Sequence, residues 1–235
     1  MNNRPFDRTS LRLAATLLLV GQLLYIVVTQ FHTGGDANNH AAIFAAYAGS
    51  GIWTAVHLAQ FAAMATLLAG LLVLFSALDV HEGAVRWAAR LGSPSAVAAL
   101  ALYGVLQAVD GVANKQADVA WLTAADAEKA ARFASAEAIR WIEWGLRSYQ
   151  NFALGIALLF AAAVVRTARI PRPIAYLIGL SGLTYLVQGW VVGAQGFSGA
   201  MSVAIVLSWV LSLAWMIWVV VVARRLQDSE AVARS

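Results

Sequence analysis

Residues 52–77 read IWTAVHLAQFAAMATLLAGLLVLFSA. No Asp, Glu, Lys or Arg interrupts these 26 residues. As a helix rising 1.5 Å per residue the stretch is about 39 Å long, enough to cross a hydrocarbon layer about 30 Å thick. Further apolar stretches lie at residues 11–31, 96–112, 139–165, 174–192 and 201–222. The expected fold is all-α: a polytopic membrane protein whose six transmembrane helices form three antiparallel hairpins, in one domain over residues 1–235. The first stretch is not read as a cleaved signal, because its apolar run is too long and residues 32–35, His-Thr-Gly-Gly, offer no small-x-small cleavage site.

Composition agrees. Of 235 residues, 61% are hydrophobic and 12% charged, with a mean hydropathy of +0.71. Soluble domains carry about 25% charge, so a soluble chain of this size could not hide so much apolar surface. The net charge of +4 does not point to nucleic acid, because the basic residues are scattered in short clusters between the spans rather than gathered in one patch. No Cys is present, which excludes disulfides, thiolate catalysis and Cys-ligated metals.

Those basic clusters orient the chain. Arg4, Arg8 and Arg12, then Arg86 and Arg90, then Arg166, Arg169 and Arg172, then Arg224, Arg225 and Arg234 fall on one side. The loops of the other side hold only Lys115, Lys129 and Arg132. Both termini are expected in the cytoplasm, and the bilayer of a cell membrane, of bacterial inner-membrane style, is the expected surrounding. Ser93-Pro94 reads as a cap and first helical position opening the third span. Pro171 and Pro173 break the chain before the fifth. Short helices on the outer surface are expected from Asp36 to Tyr47 and from Asp126 to Phe133, the second with Thr123 and Asp126 as a capping box. Residues 193–200, with three glycines, read as a tight turn. The spacings His57-x-x-Gln60 and Arg147-x-x-Gln150 hint at an internal duplication.

A charge at membrane depth costs about 2.5–3.5 kcal/mol, so each one needs a reason. The spans contain His57, Asp110, Arg140, Glu143 and Arg147, with uncharged Gln107, Gln150, Asn151 and Gln188. Counted along their helices, these fall within about 5–15 Å of the outer boundary, so they are expected to face one another around a polar, outward-opening pocket. In the fourth span Arg140, Glu143, Trp144, Arg147 and Gln150 recur at steps of three and four and share one helix face. Glu143 can pair with either arginine, and Asp110 is the expected partner of the arginine left over. The plainer alternatives are that Arg140 snorkels to the surface, that Glu143–Arg147 is a structural ion pair, and that His57 is a hydrogen-bonded packing residue.

The expected ligand-binding set is His57, Asp110, Glu143, Arg147, Gln188, Trp144, Tyr149 and Gln150, with Tyr103 and Trp190 as further apolar contact. The arginine would neutralise an anionic or amphipathic small molecule or lipid, held for carriage, sensing or storage. An intramembrane enzyme acting on a lipid, quinone or isoprenoid by Asp, Glu and His acid–base chemistry is one alternative. A structural or assembly partner, for which the stripe would be a helix-pairing seam, is another. A homo-oligomer is compatible with either. No catalytic residue, metal or cofactor is assigned. Intramembrane haem lacks a second histidine, since His32, His40 and His81 are in loops; His32, Asp36 and His40 are the alternative reading as outer-surface metal ligands, with Asp36 equally a helix N-cap. There is no Gly-rich phosphate loop, H-E-x-x-H, G-x-S-x-G or D-D-x-x-D motif.

Gly35-Asp36-Ala37-Asn38, Ala41-Ala42-Ile43, Trp53, His57 and the run Gly70-Leu71-Leu72-Val73-Leu74 lie within residues 11–78. With the six-span layout, this part of the chain resembles bacterial multi-pass membrane proteins classed as domains of unknown function. The resemblance implies the helical membrane fold and no particular activity.

Overall fold

The computed structural model describes residues 7–78, 83–168 and 170–234. Arg4, His81 and Arg169 lie outside the described residues. Among those described, all regular structure is helical: α1 (Arg8–Thr29), α2 (His40–Gly49), α3 (Trp53–Ala77), α4 (Gly83–Ala108), a π-helical turn (Val109–Asn114), α5 (Lys115–Leu122), α6 (Asp126–Thr167), α7 (Arg172–Gln195) and α8 (Gly199–Arg234). Six helical segments are long and apolar enough to cross a membrane: α1, α3, the run Val85–Leu122, α6, α7 and Gly199–Arg225. They correspond to the six apolar stretches of the sequence.

Each long helix packs on the next in chain order, from α1 to α3, α4, α6, α7 and α8, and α8 returns against α1 to close a ring. In hydrocarbon nothing apolar drives helices together, so close contact between small residues must. At the α6–α7 crossing, a Cβ on Gly155 would stand 2.8 Å from the carbonyl oxygen of Gly182, and one on Gly182 2.9 Å from that of Gly155. Leu, Ala and aromatic side chains from all six helices fill the ring, among them Leu18, Leu68, Tyr103, Leu158, Ile178 and Trp215. Outside, large apolar side chains such as Leu58 (68% exposed), Val203 (69%) and Trp190 (71%) project away from the protein. In water they would be a liability. Against lipid they are at home.

Several boundaries differ from expectation for identifiable reasons. Pro94 does not open the third span but lies inside α4. The carbonyl deprived of its usual donor by Pro94 is that of Arg90; on either side of it Ser93 Oγ donates to the Ala89 carbonyl and Ser95 Oγ to that of Leu91. Residues 126–133 are not a separate surface helix but the first turns of the 42-residue α6, which starts without a side-chain cap; Thr123 Oγ1 donates instead to Val119. At about 63 Å, α6 is far longer than a bilayer is thick. Its first turns and α5 therefore project beyond the ring, and α2 packs on this extension. Ile43, Phe44, Tyr47, Trp53 and Ala136 form a second small core there. The helix expected from Asp36 begins at His40 and is capped by Asn39, whose Oδ1 accepts from Ala42 N.

Candidate functional site

The polar residues concentrate at the end of the ring that carries α2. Lys115 ties this cap down: its Nζ donates to the carbonyls of Tyr47, Ala48 and Ser50 at 2.7–2.8 Å. These are the last carbonyls of α2 and its exit, where a cation is favoured.

Beneath the cap the chain builds a continuous polar network. It starts at Trp53, the first residue of α3, whose indole N–H donates to the Asp110 carbonyl at 2.8 Å. One turn on, His57 Nδ1 lies 2.8 Å from the Trp53 carbonyl, and His57 Nε2 lies 3.1 Å from Asp110 Oδ2. Asp110 sits in the π-helical turn, and Asn114 of the same turn donates through Nδ2 both to Asp110 Oδ1 (3.3 Å) and to Glu143 Oε2 (2.6 Å). Glu143 in turn accepts from Arg140, whose second nitrogen donates to the Ala37 carbonyl at 3.2 Å. The Arg140 guanidinium also lies 4.9 Å from the Phe197 ring centre and 5.5 Å from that of Tyr47. His57, Asp110, Asn114, Arg140 and Glu143 are all buried.

The π-helical turn makes this possible. A wider turn admits one extra residue into the α4 register, and such turns are frequent at functional sites. It brings Gly111 so close to α3 that a Cβ there would stand 2.6 Å from His57 Cβ. It also leaves Asp110 and Asn114, four residues apart, both engaged in the network.

His32 joins from outside the helices. Three residues beyond the end of α1, it folds back so that its ring centre is 4.8 Å from that of Trp53 and 5.1 Å from that of His57. Burial pushes His32 below the ordinary histidine pKa, against the pull of the Asp110 carboxylate. Its expected metal companions are elsewhere. His40 Nδ1 lies 2.8 Å from Glu137 Oε1, and Asp36 caps the loop through Asn38 N, so His32, Asp36 and His40 are not a ligand set.

Arg147 stands apart from this network. Asp110 is taken by His57 and Glu143 by Arg140, so the expected Asp110–arginine and Glu143–Arg147 pairs do not form. Arg140 does not snorkel to the surface. Arg147 donates instead to the Tyr25 hydroxyl at 3.0 Å. Tyr103 and Tyr185 lie within electrostatic reach of the same guanidinium, and Tyr25 meets Tyr103 and Trp209 edge-on. Among the described residues no carboxylate pairs with Arg147. Nearby on the same helices, Gln22, Gln150 and Asn151 are buried with neither polar atom of the side chain hydrogen-bonded in the protein, as is the Tyr103 hydroxyl.

The remaining expected residues disperse. Gln188 is buried but spends its Nε2 on the Ala204 carbonyl at 3.2 Å. Trp144 packs edge-on to His40 and against Gly196. Tyr149, 68% exposed, and Trp190 are on the outside of the ring. The sequence reading missed Asn114 and Tyr25, and it grouped His32 with Asp36 and His40 rather than with His57 and Asp110. Asn114 carried a usable signal, four residues after Asp110; Tyr25 carried none, because its contact comes from a distant part of the chain.

A comparison with protein-family models, with curated proteins and with solved structures finds no match to this chain.

Proposed function

We propose that the protein is a multi-pass membrane protein that binds a small anionic or amphipathic ligand inside its helical ring, with Arg147 receiving the negative group. Both termini lie in the cytoplasm and the α2 end faces outward, as the eleven basic residues of one side against three of the other favour. The observation that carries the proposal is the Arg147 guanidinium. It belongs to an apolar span and has a tyrosine hydroxyl, not a carboxylate, as its hydrogen-bond partner. An uncompensated charge at such depth is costly. An anion supplied from outside the chain would offset that cost.

Its surroundings suit such a guest. Tyr25 is four residues from the end of α1, about 6 Å along the helix, so the site lies toward the α2 end of the ring. Arg147 is half-buried as a residue, and its Nε is buried without a hydrogen-bond partner in the protein. Gln22 lies three residues from Tyr25, while Gln150 and Asn151 lie three and four residues from Arg147; these spacings place each on its neighbour's helix face. Their free donors and acceptors would satisfy a polar headgroup, and the rings of Tyr25, Tyr103 and Trp209 would take its apolar part. The network of His57, Asp110, Glu143 and Arg140 serves in this reading as the scaffold above the site.

Native mass spectrometry of protein gently extracted from its membrane tests the proposal. A reproducible extra mass is expected on the wild type and its loss from a folded Arg147→Ala variant. Retention of the same mass by that variant would sink the proposal.

A further inference from the structure

We propose that His32, His57 and Asp110 form a binding site for a divalent transition metal of the zinc type, at the α2 end of the ring and separate from the Arg147 site. One ligand atom from each residue falls in a group no wider than 4.8 Å. Two histidines and a carboxylate are a donor set that first-row divalent ions take readily.

The hydrogen bonds around the histidines argue for an ion more directly than proximity does. His57 Nδ1 faces the Trp53 carbonyl at 2.8 Å, and His32 Nδ1 faces the Thr33 carbonyl at 3.0 Å. A carbonyl can only accept, so both Nδ1 atoms carry the proton. In each neutral ring Nε2 then presents a lone pair. This is the arrangement typical of ligating histidines, with one nitrogen pinned to a backbone carbonyl and the other free for the metal.

His57 Nε2 stands 3.1 Å from Asp110 Oδ2, buried and without an aligned hydrogen bond. With the ring neutral these are two facing acceptors, and a cation between them, a metal ion in this proposal, relieves their repulsion. Adjacent donors on a tetrahedral zinc, with bonds near 2.1 Å, stand about 3.4 Å apart, so His57 and Asp110 are already spaced for it. His32, half-buried at the end of α1, needs a displacement of about an ångström to complete the set. It leaves the fourth position for water or a ligand.

An outer shell is present as well. Asn114 holds the second oxygen of Asp110 and connects it to the Glu143–Arg140 pair. Trp53 contributes twice, its carbonyl orienting His57 and its indole N–H fixing the Asp110 backbone. Gly111 admits the close approach of the two helices that puts the ligands together.

The test is a titration of full-length protein in detergent micelles, stripped with a chelator and then given Zn(II) alone. One ion per chain is expected. Replacing zinc by Co(II) in the wild type should give the visible absorption of a four-coordinate site. His32→Ala should weaken zinc binding by more than about 100-fold, beyond the 10–100-fold cost of losing an outer-shell partner. Asp110→Asn should weaken it comparably, and Arg147→Ala should leave it unchanged. Absence of stoichiometric zinc on the wild type, or binding that ignores both His32→Ala and Asp110→Asn, would overturn the site. His57 and Asp110 would then be an ordinary imidazolium–carboxylate pair. His32 lies outside the helices, so its variant carries the test even where Asp110→Asn fails to fold, and the cobalt spectrum needs no variant at all.

Discussion

Arg140 and Arg147 lie two helical turns apart on α6, share one face and are the same residue, yet the fold treats them in opposite ways. Arg140 is buried with a carboxylate partner: Glu143 accepts from one of its nitrogens, the Ala37 carbonyl from another, and two aromatic rings lie within cation–π range. Arg147 keeps one tyrosine hydroxyl as its hydrogen-bond partner and stays half-buried. A buried pair that the protein completes for itself is scaffolding. One that it leaves incomplete is where the proposed ligand would bind.

The largest expected effect falls on the completed pair. Arg140→Ala or Glu143→Ala alone strands a buried charge and is expected to cost about 3–5 kcal/mol, read as a fall in the unfolding midpoint of the micelle-bound protein. The double variant Arg140→Met, Glu143→Leu should recover most of that loss. If it does not, the pair is more than mutual compensation.

Gly111→Ala comes next. Its new Cβ would meet His57 Cβ at 2.6 Å, so the π-helical turn and α3 must part, at a cost of about 1–3 kcal/mol. Ligand binding at Arg147 should survive while zinc binding weakens, which separates the two centres. A smaller loss, about 0.5–1.5 kcal/mol, is expected for Tyr25→Phe, which removes the hydroxyl held by Arg147.

The smallest stability change is expected for Arg147→Ala. Removing an uncompensated cation relieves its desolvation cost, and that relief offsets the packing lost. The ligand-free midpoint should therefore stay level or rise, while the bound mass disappears. Destabilisation by Arg147→Ala as large as that by Arg140→Ala would collapse the contrast between the two arginines.

Much of this was legible in the residues. The six apolar runs mark the six long helices, and His57, Asp110, Arg140, Glu143 and Gln188 were all recognised as costly at membrane depth; all five are buried in the structure. The pairing was not legible. The three- and four-residue spacings of α6 allowed Glu143 to bond either arginine, and helical periodicity alone cannot choose between Arg140 and Arg147. Tyr149 and Trp190, expected beside the ligand, stand exposed on the outside of the ring for a related reason. Aromatic residues suit both a ligand pocket and a lipid-facing surface, and composition does not distinguish the two. Pro94 was read as a helix start because the rule for proline is local, whereas α4 begins eleven residues earlier, at Gly83, and runs on through it.

By itself the sequence determined the helical membrane architecture and the inventory of polar groups placed near one end of the spans, because both follow from runs and periods within a few turns of chain. Only the tertiary structure decided which groups meet. His57 reaches Asp110 across 53 residues, Arg140 bonds Ala37 across 103, and Arg147 bonds Tyr25 across 122. Those contacts depend on how each helix is rotated about its own axis, on one π-helical turn, and on a loop that folds His32 back over the ring. None of these is a local property of the residues involved, so the arginine paired only with a tyrosine and the two-histidine, one-aspartate cluster emerge only once the six helices are packed together.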